Sequence, residues 1–120
     1  MLAFFICLNV KADRIKHEKY YQEKHCKSLN GEVEYSIPKQ RRVDCLTEKY
    51  AIEYDFAGKI YECITQAKHY GIETHKKPVC ALIIINKRHD KRYFDIACEN
   101  QDIQIICIGR RGKETKCPHA

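Results

Sequence analysis

Apolar and polar positions alternate over residues 32–37, with Val33, Tyr35 and Ile37 set against Glu32, Glu34 and Ser36. Strand side chains point to opposite faces in turn, so a period of two predicts a half-buried strand. Pro38 ends it, and Lys39-Gln40-Arg41-Arg42 makes a basic connection to two more strands, over 42–47 and 50–56. The period then changes. Over 59–70 the apolar positions Ile60, Cys63, Ile64 and Ala67 form one helical stripe, and Gly71 stands where a helix would stop. Pro78 closes the loop that follows, and residues 79–85 are almost wholly apolar, as in a strand covered on both faces. After a polar turn at 86–91, residues 91–100 read as a short helix with Tyr93, Phe94, Ile96, Ala97 and Cys98 as its apolar positions. A last buried strand is predicted over 103–108. Upstream, residues 13–27 are dense in charge and lack Pro and Gly, which predicts an exposed helix with Asp13 as a cap. Ser28-Leu29-Asn30-Gly31 is a turn.

The order is helix, three-strand meander, helix, strand, helix, strand: an α/β fold. A helix between two buried strands favours a crossover with parallel pairing, and a mixed sheet with helices on both faces is the packing that follows. A chain of 120 residues bounds this to one domain, here placed at 13–109. Residues 1–8 are continuously apolar, and they are too few to span a bilayer, which needs about 20. Val10-Lys11-Ala12 supplies the aliphatic and small residues of an export-signal cleavage site before Asp13. Residues 1–12 therefore read as a signal peptide, truncated or misassigned at its start because the basic leading region is missing. The alternative is a buried first strand. Residues 110–120 read as a basic, mobile tail.

The charged and apolar fractions exclude a disordered, collagenous or membrane-spanning chain. The net charge of +6 admits nucleic acid, a phosphate compound or an acidic membrane as partner, or a protein that is merely basic. Of eight cysteines none forms a Cys-x-x-Cys pair, so the usual zinc spacing is absent. Many scattered cysteines fit an oxidising compartment, periplasmic or extracellular. Seven lie downstream of Cys7, an odd number, so at least one is free or pairs between chains. A bridge between Cys26 and Cys45 would pin the first helix to the sheet. Cys63, Cys80 and Cys107 sit at core-like positions and read as small buried hydrophobes. His25-Cys26 and Cys117-Pro118-His119 are pairs that suit a soft metal.

The candidate chemistry lies in the hairpin. With its loop centred on Glu48 and Lys49, Thr47 faces Tyr50, Cys45 faces Ile52, and Asp44 faces Glu53. Opposed residues have Cβ atoms ~4.5–5.5 Å apart, so two carboxylates there repel unless a cation joins them. Asp55 shares the face of Glu53, while Ile52, Tyr54 and Phe56 take the other. On the next helix Lys59, Glu62 and Gln66 form one stripe that can aim at the acids. Carboxylate oxygens suit Mg²⁺ or Mn²⁺, which polarise a phosphodiester, and a nearby lysine stabilises the developing charge. Lys39, Arg41 and Arg42 stand beside the acids as phosphate contacts. The plain alternative is a solvated acidic strand face and an ordinary exposed helix stripe.

Arg42-Val43-Asp44, Glu53 and Gln66-Ala67-Lys68-His69-Tyr70 together resemble the restriction-endonuclease-like PD-(D/E)xK superfamily, in its RecB-like branch, over residues 33–108. Within it the run Arg-Val-Asp-Cys-Leu-Thr…Ala-Ile-Glu-x-Asp-Phe-Ala is similar to small exported bacterial proteins of unassigned function. The resemblance implies an α-β-β-β-α-β-α-β core and a metal-dependent nuclease, with Asp44 and Glu53 as metal-holding acids and DNA or RNA as substrate. It departs from the pattern at Asp55, where the catalytic lysine would stand. The resemblance then implies a lysine displaced to the next helix, Lys59, with Gln66 as its companion and Asp55 as an added metal ligand. Lys49 is a weaker substitute, and Glu34 an added acid only if it turns from solvent. Two other readings stay open: a non-catalytic metal- or nucleic-acid-binding module on the same fold, and a disulfide-stabilised structural protein.

Overall fold

The computed structural model describes residues 15–99 and 102–118, the side chains of Ala97 and Cys98 excepted. The expected export signal at 1–12, the Asp13 cap, Asn100 and His119 lie outside the described residues. The chain forms α1 (Glu18–Ser28), β1 (Glu32–Ile37), β2 (Arg41–Leu46), β3 (Tyr50–Phe56), a 3-10 turn (Ala57–Lys59), α2 (Ile60–Thr74), β4 (Lys77–Ile83), α3 (Lys87–Cys98), β5 (Gln104–Ile108) and β6 (Glu114–Thr115). The six strands make one mixed sheet in chain order. The meander β1-β2-β3 is antiparallel, β3-β4 and β4-β5 are parallel, and β6 returns antiparallel beside β5.

The sheet carries an apolar layer on each side. Tyr21 and Cys26 of α1 pack with Cys45, Ile52, Tyr54, Val79, Ala81 and Ile83. On the opposite side Ile60, Cys63, Ile64 and Ala67 of α2 and Phe94 of α3 pack with Cys80 and Leu82. Alternation along β3 and β4 feeds both layers, which is why 79–83 is apolar at every position.

Several boundaries differ from expectation. The turn expected at 86–91 is the first turn of α3: Asn86 Oδ1 accepts the His89 N–H, and Asp90 Oδ2 accepts the N–H groups of Ile85 and Asn86. Polar residues there cap a helix start. Pro78 is not a loop end but the second residue of β4, paired with Ala51. Helix α2 runs past Gly71 and stops at His75, which takes the left-handed conformation at φ 58°. Gly71 is instead buried against Pro78, where a Cβ would lie 3.0 Å from the Pro78 Cβ. The expected mobile tail contributes β6 and a bond from Cys117 to Cys107.

Among the described residues three disulfides are formed: Cys26–Cys45, Cys63–Cys80 and Cys107–Cys117. The first is the expected bridge between α1 and the sheet. The second joins α2 to β4, so each layer is pinned to the sheet once. Cys63, Cys80 and Cys107 are therefore not free apolar fillers. Cys26 and Cys117, oxidised, have no thiolate to offer a soft metal beside His25 or His119. Three such bonds belong to an oxidising environment. Among the described residues no helix is long and apolar enough to cross a membrane.

Gly31, between α1 and β1, crosses directly over the first bridge. A Cβ there would sit 2.6 Å from Cys45 Sγ and 2.7 Å from Cys26 Sγ. Both sulfurs are held from two sides and cannot withdraw. Gly31→Ala is expected to lower stability by about 1–3 kcal/mol in urea unfolding, and by much less in a Cys26→Ala/Cys45→Ala background.

Candidate active site

The β2–β3 ladder pairs Leu46 with Ala51 and Cys45 with Ile52. The next step of that register brings Asp44 opposite Glu53, and there the ladder parts. The Asp44 N–H donates to Glu53 Oε1 at 3.2 Å, and the Tyr54 N–H donates to Asp44 Oδ2 at 2.9 Å. Side-chain carboxylates have replaced the backbone acceptors. The strand pairing on the other flank of β2 is interrupted at the same level. Val33 pairs with Cys45 and Tyr35 with Val43, but Glu34 between them adopts φ 56°. A left-handed non-glycine residue costs of order 1–3 kcal/mol and persists where its surroundings hold it. Gln22 of α1 does so: its Nε2 donates to Asp44 O at 3.0 Å and to Glu34 Oε1 at 3.3 Å.

Five carboxyls gather around this opening. Glu53 and Asp55 are 4% and 8% exposed, and Asp44 is half-buried. Asp44 is hydrogen-bonded to Glu53, and Asp55 to Glu18. Burial, then the charge of Asp44, pushes Glu53 up to about 9. Burial, then the charge of Glu18, pushes Asp55 up to about 7. Asp44 is pushed up to about 6, mainly by burial, while the N–H of Tyr54 and the bond to Glu53 pull it back. Glu18 is raised by burial, with Asp55 and Lys59 opposing. Both pairs therefore hold a proton more tightly than free carboxyls do. Among the described residues Lys59 is the cation whose charge acts on both Glu18 and Asp55, and it is exposed at the end of the 3-10 turn.

The other predicted residues fall in three places. Gln66 is exposed on α2 one turn before Tyr70. The Tyr70 hydroxyl is raised by burial and then by the charge of Glu53, so that side of α2 looks onto the acids. Arg42 is exposed two residues before Asp44, and Lys39 is exposed in the β1–β2 turn at φ 67°. Arg41 is committed elsewhere: its guanidinium bonds to Glu73 and His69 of α2, so it ties β2 to the helix. Lys49 is at the far end of the hairpin, about 13 Å along the strand from Glu53, and lines a separate cavity of about 300 Å³ with His25, Tyr50 and Ile106.

Two contributors escaped the sequence reading. Glu18 lay in a segment expected to be exposed, and Glu34 on a strand face expected to be solvated. The signal for Glu18 was its spacing of four from Gln22 and seven from His25 beside the apolar Tyr21 and Cys26. That polar stripe borders the buried one and points to the sheet edge.

Among the described residues no three His, Cys, Asp or Glu side chains already converge as a metal cage. The acids form two pairs, and only Asp44 and Glu53 face each other across the parted strands. This still fits Mg²⁺ or Mn²⁺, because such ions commonly take one or two protein carboxylates and complete their shell with water and substrate oxygens. No protein-family model matches the chain, and no curated protein or solved structure matches it either.

Proposed function

We propose that this chain is an exported, metal-dependent phosphodiesterase acting on nucleic acid, of the restriction-endonuclease-like kind that its Arg42-Val43-Asp44 and Glu53 motifs resemble. The observation that carries the reading is the Asp44–Glu53 pair, two carboxyls in a parted hairpin, each accepting a backbone N–H from the opposite strand. The order helix, three-strand meander, helix, strand supports the same fold assignment.

Asp44 and Glu53 would hold Mg²⁺ or Mn²⁺, with Asp55 as a further oxygen donor once it leaves Glu18. The ion supplies a Lewis acid for the phosphoryl oxygen and a water of lowered pKa. The remaining work falls to the chain. Lys59, free in solvent beside Asp55, stabilises charge developing on the phosphoryl group. Gln66 and Tyr70 present hydrogen-bonding groups from α2 to orient the substrate. Arg42 and Lys39 fix the flanking phosphates, which positions the strand without reading its sequence.

The test is cleavage of labelled single- and double-stranded DNA and RNA by the oxidised protein with Mg²⁺, Mn²⁺ or EDTA. Turnover is expected with either metal and none in EDTA. Lys59→Ala should lower kcat about a hundredfold, with partial recovery in Lys59→Arg. No turnover on any of these substrates sinks the enzymatic reading. A specific observation favours one other: Asp55 stands where a lysine is expected and is bonded to Glu18. A protein that binds Mn²⁺ in calorimetry without turnover would be a non-catalytic module on the same frame.

A further inference from the structure

At the carboxyl ends of β4 and β5 lies a second pocket, about 450 Å³ in volume, walled by Ile84, Ile85 and Gly109 and ringed by cations. Lys87, Arg110, Arg111 and Lys113 all line it. We propose that it is a phosphate-binding subsite that holds the backbone of a nucleic-acid strand on its way to the carboxylates. The inference deepens the nuclease reading and rests on it for the identity of the strand.

The pocket is strongly cationic. None of these four side chains forms an ion pair among the described residues. Glu114 is the single carboxylate in the lining, and its Oε2 is turned to His25 Nε2 at 3.3 Å. Four like charges around one concavity repel, and an anion between them relieves that repulsion. The size of the pocket admits a sugar-phosphate unit.

The loop that carries three of the cations is also held in shape. Arg110, Arg111 and Lys113 sit on a loop between β5 and β6 that is closed by the Cys107–Cys117 bond. Within it the Gly109 N–H donates to Lys113 O at 2.8 Å and the Gly112 N–H to Gly109 O at 2.9 Å. Gly112 adopts φ 77°, and the side chain of Lys24 of α1 lies 2.8 Å from where its Cβ would be. The Arg110 Nε–H donates to Ile85 O at 2.9 Å, which directs the guanidinium. Basic residues kept only for solubility need no such framework, whereas a subsite gains affinity from being preformed.

The pocket opens at the same edge of the sheet as the acids. Strands β3, β4 and β5 are parallel and level, with Phe56 beside Ile83 and Ile83 beside Ile108. Asp55 and Lys59 leave the sheet at the same carboxyl edge, two strand spacings or about 10 Å from the pocket. A strand seated in the pocket therefore leads along that edge to the acids, where ligands of parallel sheets collect.

The test is binding without cleavage. A fluorescein-labelled 12-nucleotide single strand, DNA or RNA, is titrated with protein in EDTA between 50 and 300 mM NaCl, followed by anisotropy. Arg110→Ala/Arg111→Ala/Lys113→Ala should weaken binding at least tenfold at 100 mM salt and lower the slope of log Kd against log salt by about 2, from three lost phosphate contacts. Arg110→Lys/Arg111→Lys should retain most of the affinity. Thermal unfolding of each variant shows that the fold is kept. Lys19→Ala/Lys27→Ala/Lys77→Ala, which removes the same charge from other exposed positions, should leave binding within about twofold. An unchanged Kd and slope in the loop triple variant overturns the proposal, and so does an equal loss in the remote triple variant. Calorimetry with inorganic phosphate separates the sources: affinity equal to that for the oligonucleotide overturns the strand assignment. Because EDTA removes catalysis, failure to cleave in Mg²⁺ with this binding intact would sink the nuclease reading alone.

Discussion

Glu53→Gln is expected to abolish cleavage and, in EDTA at pH 8, to raise thermal stability. The loss of activity should be at least about a hundredfold, since the amide cannot supply the anionic oxygen that holds the ion. The gain in stability follows from the direction of the pKa shift. Glu53 is pushed up to about 9, from roughly 4.3 in the unfolded chain. The folded state thus keeps a proton that the unfolded state releases. Its stabilising contribution is complete below the unfolded value and is lost as pH rises through 9. Asp55 and Asp44, pushed up to about 7 and about 6, act in the same sense over lower windows. In EDTA the wild-type Tm should fall by more than about 5 °C from pH 5 to pH 9, and that of Glu53→Gln by less than half as much. With millimolar Mn²⁺ the trend should reverse, because the ionised pair binds the cation and the ligand stabilises the fold. A wild-type Tm that is flat or rising with pH in EDTA would remove the argument that the pair awaits a cation.

Reduction is expected to unfold the protein at 37 °C. The Cys26–Cys45 and Cys63–Cys80 bonds span 19 and 17 residues. Loop closure of that size is worth about 3 kcal/mol each. Domains of this length have a total stability of about 5–15 kcal/mol. Removing one bond by Cys63→Ala/Cys80→Ala should lower the unfolding free energy by about 3 kcal/mol. Removing both leaves neither helical layer pinned to the sheet and exhausts most of the margin. Urea titrations followed by circular dichroism, with and without dithiothreitol, measure this. A urea midpoint that dithiothreitol does not move would show that packing alone holds the layers.

The strands were legible because their signal is local. Val33, Tyr35 and Ile37 alternate within one element, and the symmetric hairpin around Glu48 and Lys49 set the Asp44–Glu53 register before any tertiary fact was needed. Features that depend on what comes near from elsewhere in the chain were not legible. Glu34 looked solvated because a period of two assumes regular pairing, and its left-handed backbone breaks that assumption. Glu18 looked exposed because its partner, Asp55, is 37 residues away. The start of α3 was hidden by cap residues that also make turns, Asn86 and Asp90. The stretch from Gly109 onward read as a tail because five of its residues from 110 to 116 are charged. The bond that folds it back is a property of Cys107 and Cys117 together.

The three bridges also say something about how the chain is made. Cys26 joins Cys45, Cys63 joins Cys80 and Cys107 joins Cys117, so the rings neither cross nor nest. A polypeptide entering an oxidising compartment from its amino end delivers each of the first two pairs in order, partner next after partner. If Cys7 leaves with the expected export signal, an oxidant that joins the remaining cysteines as they arrive builds both rings correctly, with no reshuffling by an isomerase. Cys98 is the single point downstream of Cys26 where order of arrival misleads, because it emerges after Cys80 and before Cys107. Joined to Cys107 first, it would strand Cys117 and leave the loop of Arg110, Arg111 and Lys113 unclosed. The fidelity of biogenesis is therefore concentrated at the pairing of Cys107, and in the cationic loop rather than at the carboxylates.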